Sequence, residues 1–165
     1  MNEQHRNPVY SYVNGVWTSH FALHEIVRVH WTVLVSAERV RAKLNELHGG
    51  GITLEIKGLA RTEADNVALA QKLGWTCNGG QVSRYSTHLV NYENRLGEKG
   101  CCGIDLVALR TNNAGGGFCP RKRVPQRELG SVCRQFFDWV KDDYRDGHVH
   151  ADNRAGGLKV RRDIK

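Results

Sequence analysis

The period of the apolar positions changes several times along the chain, and each change marks an element. Val9, Tyr10, Tyr12 and Val13 lead into the turn dipeptide Asn14-Gly15, and Val16-Trp17-Thr18 follow, so residues 9–19 are expected to form a hairpin. Phe21 to Val35 is apolar-rich and reads as helix, although Trp31-Thr32-Val33 carries strand-forming residues. Ser36 is the expected N-cap of the next helix. Ala37, Val40, Leu44 and Leu47 follow at helical spacing, and Gly49-Gly50-Gly51 ends the run. Ile52, Leu54 and Ile56 alternate, which predicts a strand over 52–57.

Thr62 followed by Asp65 has the form of a capping arrangement. Ala64, Val67, Ala68 and Leu73 supply an apolar stripe for a helix that Gly74 stops. Residues 75–102 are loop-rich, and Gly103 to Leu109 reads as a buried strand. After a loop over 111–126, the positions Leu129, Val132, Cys133, Phe136, Phe137 and Val140 predict an amphipathic helix over 127–144. Arg145-Asp146-Gly147 breaks it. His148–Asp152 and Leu158–Arg162 are expected to be short strands around a turn at Arg154–Gly157. The sum is an α+β fold with a small, mostly antiparallel sheet and helices packed on one side.

A chain of 165 residues has the size of one domain and buries about 70% of its unfolded surface, enough for a core without staples. Positions 1–20 read as an N-terminal extension. Net charge is +7. Such a surface favours polyanions, including the acidic polymers of a bacterial wall. The basic residues are spread out, and the run Arg121-Lys122-Arg123 has no aromatic residues interleaved to stack on bases, so nucleic acid is disfavoured as a partner.

The five cysteines (Cys77, Cys101, Cys102, Cys119 and Cys133) show no CxxC spacing, which argues against a zinc ribbon or a redox dithiol. The N-terminus lacks a signal-peptide pattern and no apolar run approaches a membrane span. The expected place of synthesis is therefore a reducing cytoplasm, with free thiols.

Three segments carry the chemistry: Ser86-Thr87-His88, Gly103-Ile104-Asp105 and His148-Val149-His150-Ala151-Asp152. An aspartate inside a buried strand is unfavourable unless it is paired or bound to metal. In a strand, His148 and His150 face one side together. The set therefore offers two imidazoles and a carboxylate as ligands, with one histidine to spare. A catalytic zinc has three protein ligands and an open position.

The order of these pieces resembles the D-alanyl-D-alanine carboxypeptidase-like zinc metallopeptidases. That family includes phage endolysin peptidases and shares its fold with hedgehog signalling domains. The turn Gly58-Leu59-Ala60-Arg61-Thr62, the helix bearing Asn66, the Ser86-Thr87-His88 and Asp105 segments, a long helix and the late His148-Val149-His150 strand occur in the family's order. The likeness covers residues 21–153. It implies His88, Asp105 and His150 as zinc ligands and His148 as proton carrier or oxyanion stabiliser. Arg61 would orient a substrate carboxylate or carbonyl, and Ser86 would contact the substrate or hold the metal loop. A second assignment, taken from related lysins, makes His148 the ligand and Asp146 the base. Asp152 is either a carboxylate orienting a ligand histidine or a plain strand-end residue. The activity implied is hydrolysis of peptide bonds in bacterial peptidoglycan, acting at the cell wall after release.

One departure stands out. The family places its aspartate shortly after the first histidine, whereas Asp105 follows His88 by 17 positions. Residues 89–102 read as an insertion, which is thermodynamically cheap in a surface loop. It is either a substrate-binding loop or a sign that Asp105 is displaced from the metal. Two other classes stay open: a non-catalytic hedgehog-like metal-binding module and a small basic nucleic-acid-binding protein. The remaining histidines, His5, His20, His24, His30 and His48, fall outside the pattern and read as structural.

Overall fold

The computed structural model describes residues 28–74, 82–110 and 121–159. The hairpin expected over 9–19 lies outside them. Within them are three helices and five strands: α1 Trp31–His48, β1 Ile52–Gly58, α2 Glu63–Leu73, β2 Gly103–Arg110, β3 Lys122–Arg123, α3 Gln126–Phe136, β4 Trp139–Lys141 and β5 Val149–Asp152. The sheet runs β1-β2-β5-β4, with β3 paired to the end of β2, and every pairing is antiparallel. This is the α+β architecture expected from the pattern. None of the helices is long and apolar enough to cross a membrane.

α1 begins earlier than its cap signal. Ser36 lies inside the helix, fully buried, and its Oγ accepts a hydrogen bond from Asn153 Nδ2 at 3.0 Å. Burial decides this. Val33, Ala37, Val40 and Leu44 form one continuous stripe, all 0% exposed, and it runs straight through Ser36. The helix expected over 21–35 is described only from Arg28: Arg28–His30 are not helical, Trp31 onward is, and the residues before Arg28 lie outside the described residues. The C-terminus is as expected. Gly49 takes a left-handed conformation (φ 72°) and donates its N–H to Asn45 O. The Asn45 side chain then accepts from Ile52 N at 2.9 Å, which latches the helix to β1.

α2 starts at the predicted capping box, with Thr62 and Asp65 bonded reciprocally, and stops at Gly74. Its predicted apolar stripe does not face the core. Ala64, Val67, Ala68 and Leu73 are exposed, and Asn66 and Ala70 are buried instead. Asn66 Nδ2 donates to Ser83 O at 3.0 Å, so a polar anchor sets the helix rotation.

α3 is shorter than the pattern suggests. It ends at Phe136, and Phe137 is extended (φ −115°, ψ 153°) with its side chain fully buried. Trp139–Lys141 then form β4 against β5. A return contact stabilises the reversal: Arg134 grips the Asp142 carboxylate at 2.7 and 2.9 Å. Asp142 packs over Gly130, where any Cβ would collide with it. Past the turn at 154–157, Leu158 and Lys159 are not in a strand, contrary to expectation, and the rest of 158–162 lies outside the described residues.

The core joins α1, α3 and the inner faces of β1, β2 and β5 through Val33, Leu44, Leu54, Ile104, Leu106, Leu129, Phe137 and Val149. Each buried side chain of this size contributes about 1.5–3 kcal/mol. The free thiols Cys101, Cys102 and Cys133 are buried. Burial pushes Cys101 up to about 12 and Cys102 up to about 11, so neither is a ready nucleophile. Cys77 and Cys119 lie outside the described residues. So do His5, His20 and His24. His30 meets Thr32 Oγ1 and Glu98, and His48 meets Glu128, as expected of structural histidines.

Candidate metal centre

β2 and β5 are paired so that Asp105 stands directly opposite His150. His88 reaches the same point from the loop after α2. Its N–H is accepted by Ser86 Oγ at 3.3 Å, so Ser86 holds the turn that carries the histidine. The segment 89–102 does not push Asp105 away. It folds back on itself: Asn94 Oδ1 accepts from Leu96 N and Glu98 N, and Gly100 N donates to Tyr92 O. Its end returns to its start, where Thr87 O accepts from both Cys102 N and Gly103 N at 2.8 and 2.9 Å. The segment is thus a closed loop, and its closure brings β2 against the His88 segment. Gly103 permits the approach, because a Cβ there would meet Thr87 Oγ1 at 2.5 Å and His150 Cε1 at 3.1 Å.

The result is a buried group of His88, Asp105 and His150, with ligand atoms within 4.8 Å of one another, that could hold a metal ion. His88 Nε2 lies 3.0 Å from His150 Nδ1 and 3.2 Å from Asp105 Oδ1, and His150 Nδ1 lies 2.8 Å from the same oxygen. A tetrahedral ion with bonds of about 2.0–2.1 Å keeps its ligand atoms about 3.3 Å apart, close to this spacing.

The outer nitrogens determine which atoms face inward. His88 Nδ1–H donates to the Leu59 carbonyl at 2.8 Å, so its Nε2 lone pair points into the group. His150 Nε2–H faces Asp152 Oδ2 at 3.3 Å and Thr87 Oγ1 at 3.4 Å, which turns Nδ1 inward. Such outer partners orient metal-binding histidines and fix their tautomers. Asp152 is the last residue of β5, and its carboxylate lies beside His150 Nε2. Leu59 O, Thr87 and Arg154 were not legible as site residues. Arg154 forks onto Asp152, from Nε to Oδ1 at 2.7 Å and from Nη2 to Oδ2 at 2.6 Å.

Electrostatics favour a cation at the centre. Burial pushes His88 below its ordinary value, against the pull of Asp105. Burial would also lower His150, but hydrogen bonds with Asp105 and Asp152 outweigh it and raise His150 to about 9. Burial opposes ionisation of Asp105, yet the two histidines hold its carboxyl well below the usual range. His150 Nδ1 faces both Asp105 Oδ1, at 2.8 Å, and His88 Nε2, at 3.0 Å.

His148 stands at the mouth of this group and is less buried. Its Nε2 is 3.9 Å from Asp105 Oδ1 and its Nδ1 donates to Asp146 at 2.6 Å. Tyr144 stacks on its ring, with centroids 4.1 Å apart. Arg61 Nη2 is 3.5 Å from Asp105 Oδ2. Of the sequence-selected residues, His88, Asp105 and His150 converge, Arg61 and His148 lie beside Asp105, and Ser86 contacts the backbone of His88.

Comparison with protein-family models, curated proteins and solved structures finds no match to this chain.

Proposed function

We propose that this protein is a zinc-dependent peptidase that hydrolyses peptide bonds in bacterial peptidoglycan. The observation that carries the reading is the convergence of His88 Nε2, Asp105 Oδ1 and His150 Nδ1, each aimed inward by a partner or by its strand. Three ligands leave a position open, as in catalytic zinc sites and unlike closed structural ones. Zinc bound there would polarise the scissile carbonyl and lower the pKa of water towards about 7.

The chain's own groups supply the remainder. Asp146 accepts from His148 Nδ1–H, which leaves Nε2 to take a proton on the open side and return it to the leaving amine. Stacking on Tyr144 restrains the ring of His148. Arg61 presents a planar fork beside Asp105 and would orient a substrate carbonyl or carboxylate. The order of motifs, similar to that of the cell-wall peptidases, supports the choice of substrate. The net charge of +7 suits adhesion to anionic wall polymers.

The test is metal analysis of the purified protein together with clearing of permeabilised Gram-negative cells and release of new amino groups from wall fragments. One zinc per chain, chelator-sensitive clearing and amine release are the expected results. A zinc-loaded protein that releases no amines would leave a non-catalytic metal-binding module and defeat the peptidase reading.

A further inference from the structure

Asp152 is 0% exposed, and its charge is met inside the fold by Arg154, with His150 Nε2 farther off at 3.3 Å. The guanidinium engages both carboxylate oxygens and so fixes the carboxylate plane. The Arg154 N–H also donates to Asp152 Oδ1, at 3.3 Å. Arg154 is itself restrained. Its guanidinium carbon sits 4.8 Å from the centroid of Trp139, and its carbonyl accepts from Arg95 N of the 89–102 loop. The Trp139 ring in turn meets His150 edge-on, with centroids 5.5 Å apart. A closed chain of contacts thus runs from Trp139 through Arg154 and Asp152 to His150.

His150 depends on that chain more than His88 depends on its own partner. Leu59 O is a backbone atom set by the end of β1 and needs no further support. The partners of His150 Nε2–H are side-chain atoms, Asp152 Oδ2 at 3.3 Å and Thr87 Oγ1 at 3.4 Å, and the fork sets the plane of the carboxylate. An imidazole whose outer N–H loses its acceptor can flip or change tautomer, and its inward lone pair is then lost for part of the time.

We infer that Arg154 is a positioning residue of the metal centre, acting through Asp152 to set the orientation and tautomer of His150, with Trp139 covering the ion pair. The inference rests on the metal reading above and adds a determinant of metal affinity outside the ligand set. Loss of an outer partner of this kind typically weakens metal binding by about 10–100-fold. Arg154→Lys keeps the charge but not the fork, so it should fall between wild type and Arg154→Gln.

The experiment measures zinc affinity by competition with a chromophoric chelator for wild type, Arg154→Lys, Arg154→Gln and His88→Ala. Far-UV circular dichroism checks the fold of each. Nitrogen-edited NMR of the zinc-loaded proteins follows solvent exchange of the His150 Nε2 proton. Weakening in the order Lys then Gln, with faster exchange of that proton in both folded variants, is expected. If Arg154→Gln does not fold, Arg154→Lys carries the comparison alone. Affinity and proton exchange unchanged in a folded Arg154 variant, with His88→Ala still abolishing binding, would overturn this inference and leave the metal reading intact. No zinc bound by wild type would overturn both.

Discussion

His88 Nε2 and His150 Nδ1 stand 3.0 Å apart, although 62 residues separate them in the chain. Each imidazole has its outer N–H committed elsewhere, to Leu59 O and to Asp152. Two inward nitrogens and the Asp105 oxygen this close together make a place suited to a positive charge. Despite burial, hydrogen bonds with Asp105 and Asp152 raise His150 to about 9, and a bound metal would take the place of its proton.

The ligand set makes a direct prediction. His88→Ala, Asp105→Ala and His150→Ala should each lose stoichiometric metal, while His148→Ala should keep it, as elemental analysis of the four proteins will read. Metal lost with His148 and retained without His150 would instead support the assignment with Asp146 as base.

Uptake of metal should release about one proton near neutral pH, because His150 is protonated up to about 9 in the metal-free protein. Stability follows with a definite sign. A histidine raised above its unfolded value of 6.5 contributes stability that is complete below pH 6.5 and disappears as pH rises through about 9. His88 is lowered, so it titrates below this window and does not offset the loss. The chelator-treated protein should therefore melt at a lower temperature at pH 9.5 than at pH 6.5, and the metal-induced gain in Tm should widen over the same range. Calorimetric titration in buffers of different ionisation enthalpy checks the proton count, and a count of zero would refute it.

Catalysis and binding should separate at His148. His148→Ala is expected to lower kcat by about 10²–10⁴-fold, the usual contribution of a proton carrier, while leaving zinc content at wild-type level. Steady-state kinetics on a wall peptide reads this directly. An equal rate in the variant would remove His148 from the reaction.

Gly58 is a structural weak point of the centre. It pairs with Asp105 across an irregularity in the β1–β2 ladder, and a Cβ there would collide with the Asp105 carboxylate. Gly58→Ala should displace that ligand and weaken zinc binding while α1 and α3 remain folded. Wild-type affinity in the chelator competition would mean that the carboxylate has room to move aside.

The cap of α2 offers a control away from the metal. Thr62→Ala should reduce stability by about 1 kcal/mol, as loss of an N-cap usually does. Denaturant melts should show it with unchanged zinc content.

Several elements were legible because their causes are local. The capping box at Thr62, the glycine stop at Gly49, the alternation of Ile52, Leu54 and Ile56 and the unbroken apolar run of β2 depend on neighbours a few residues away. The candidate ligands were legible for another reason: a carboxylate in a buried strand and a His-x-His pair are unfavourable in a core without a chemical purpose. Tertiary contacts decided the rest. Ser36 has a good cap side chain, yet Asn153, from the far end of the chain, draws it into a helix interior. Val140 continues the helical period of α3, but pairing with Ala151 makes it a strand residue. The apolar side of α2 faces outward because Asn66 is anchored to Ser83. The wide spacing of His88 and Asp105 left the site ambiguous in one dimension, and the intervening loop brings the two together by closing on Thr87 O. Periodicity and caps are written in adjacent residues. The partners that orient His150, namely Asp152 and the Arg154 that holds it, act through geometry that exists only once β2, β4 and β5 have paired.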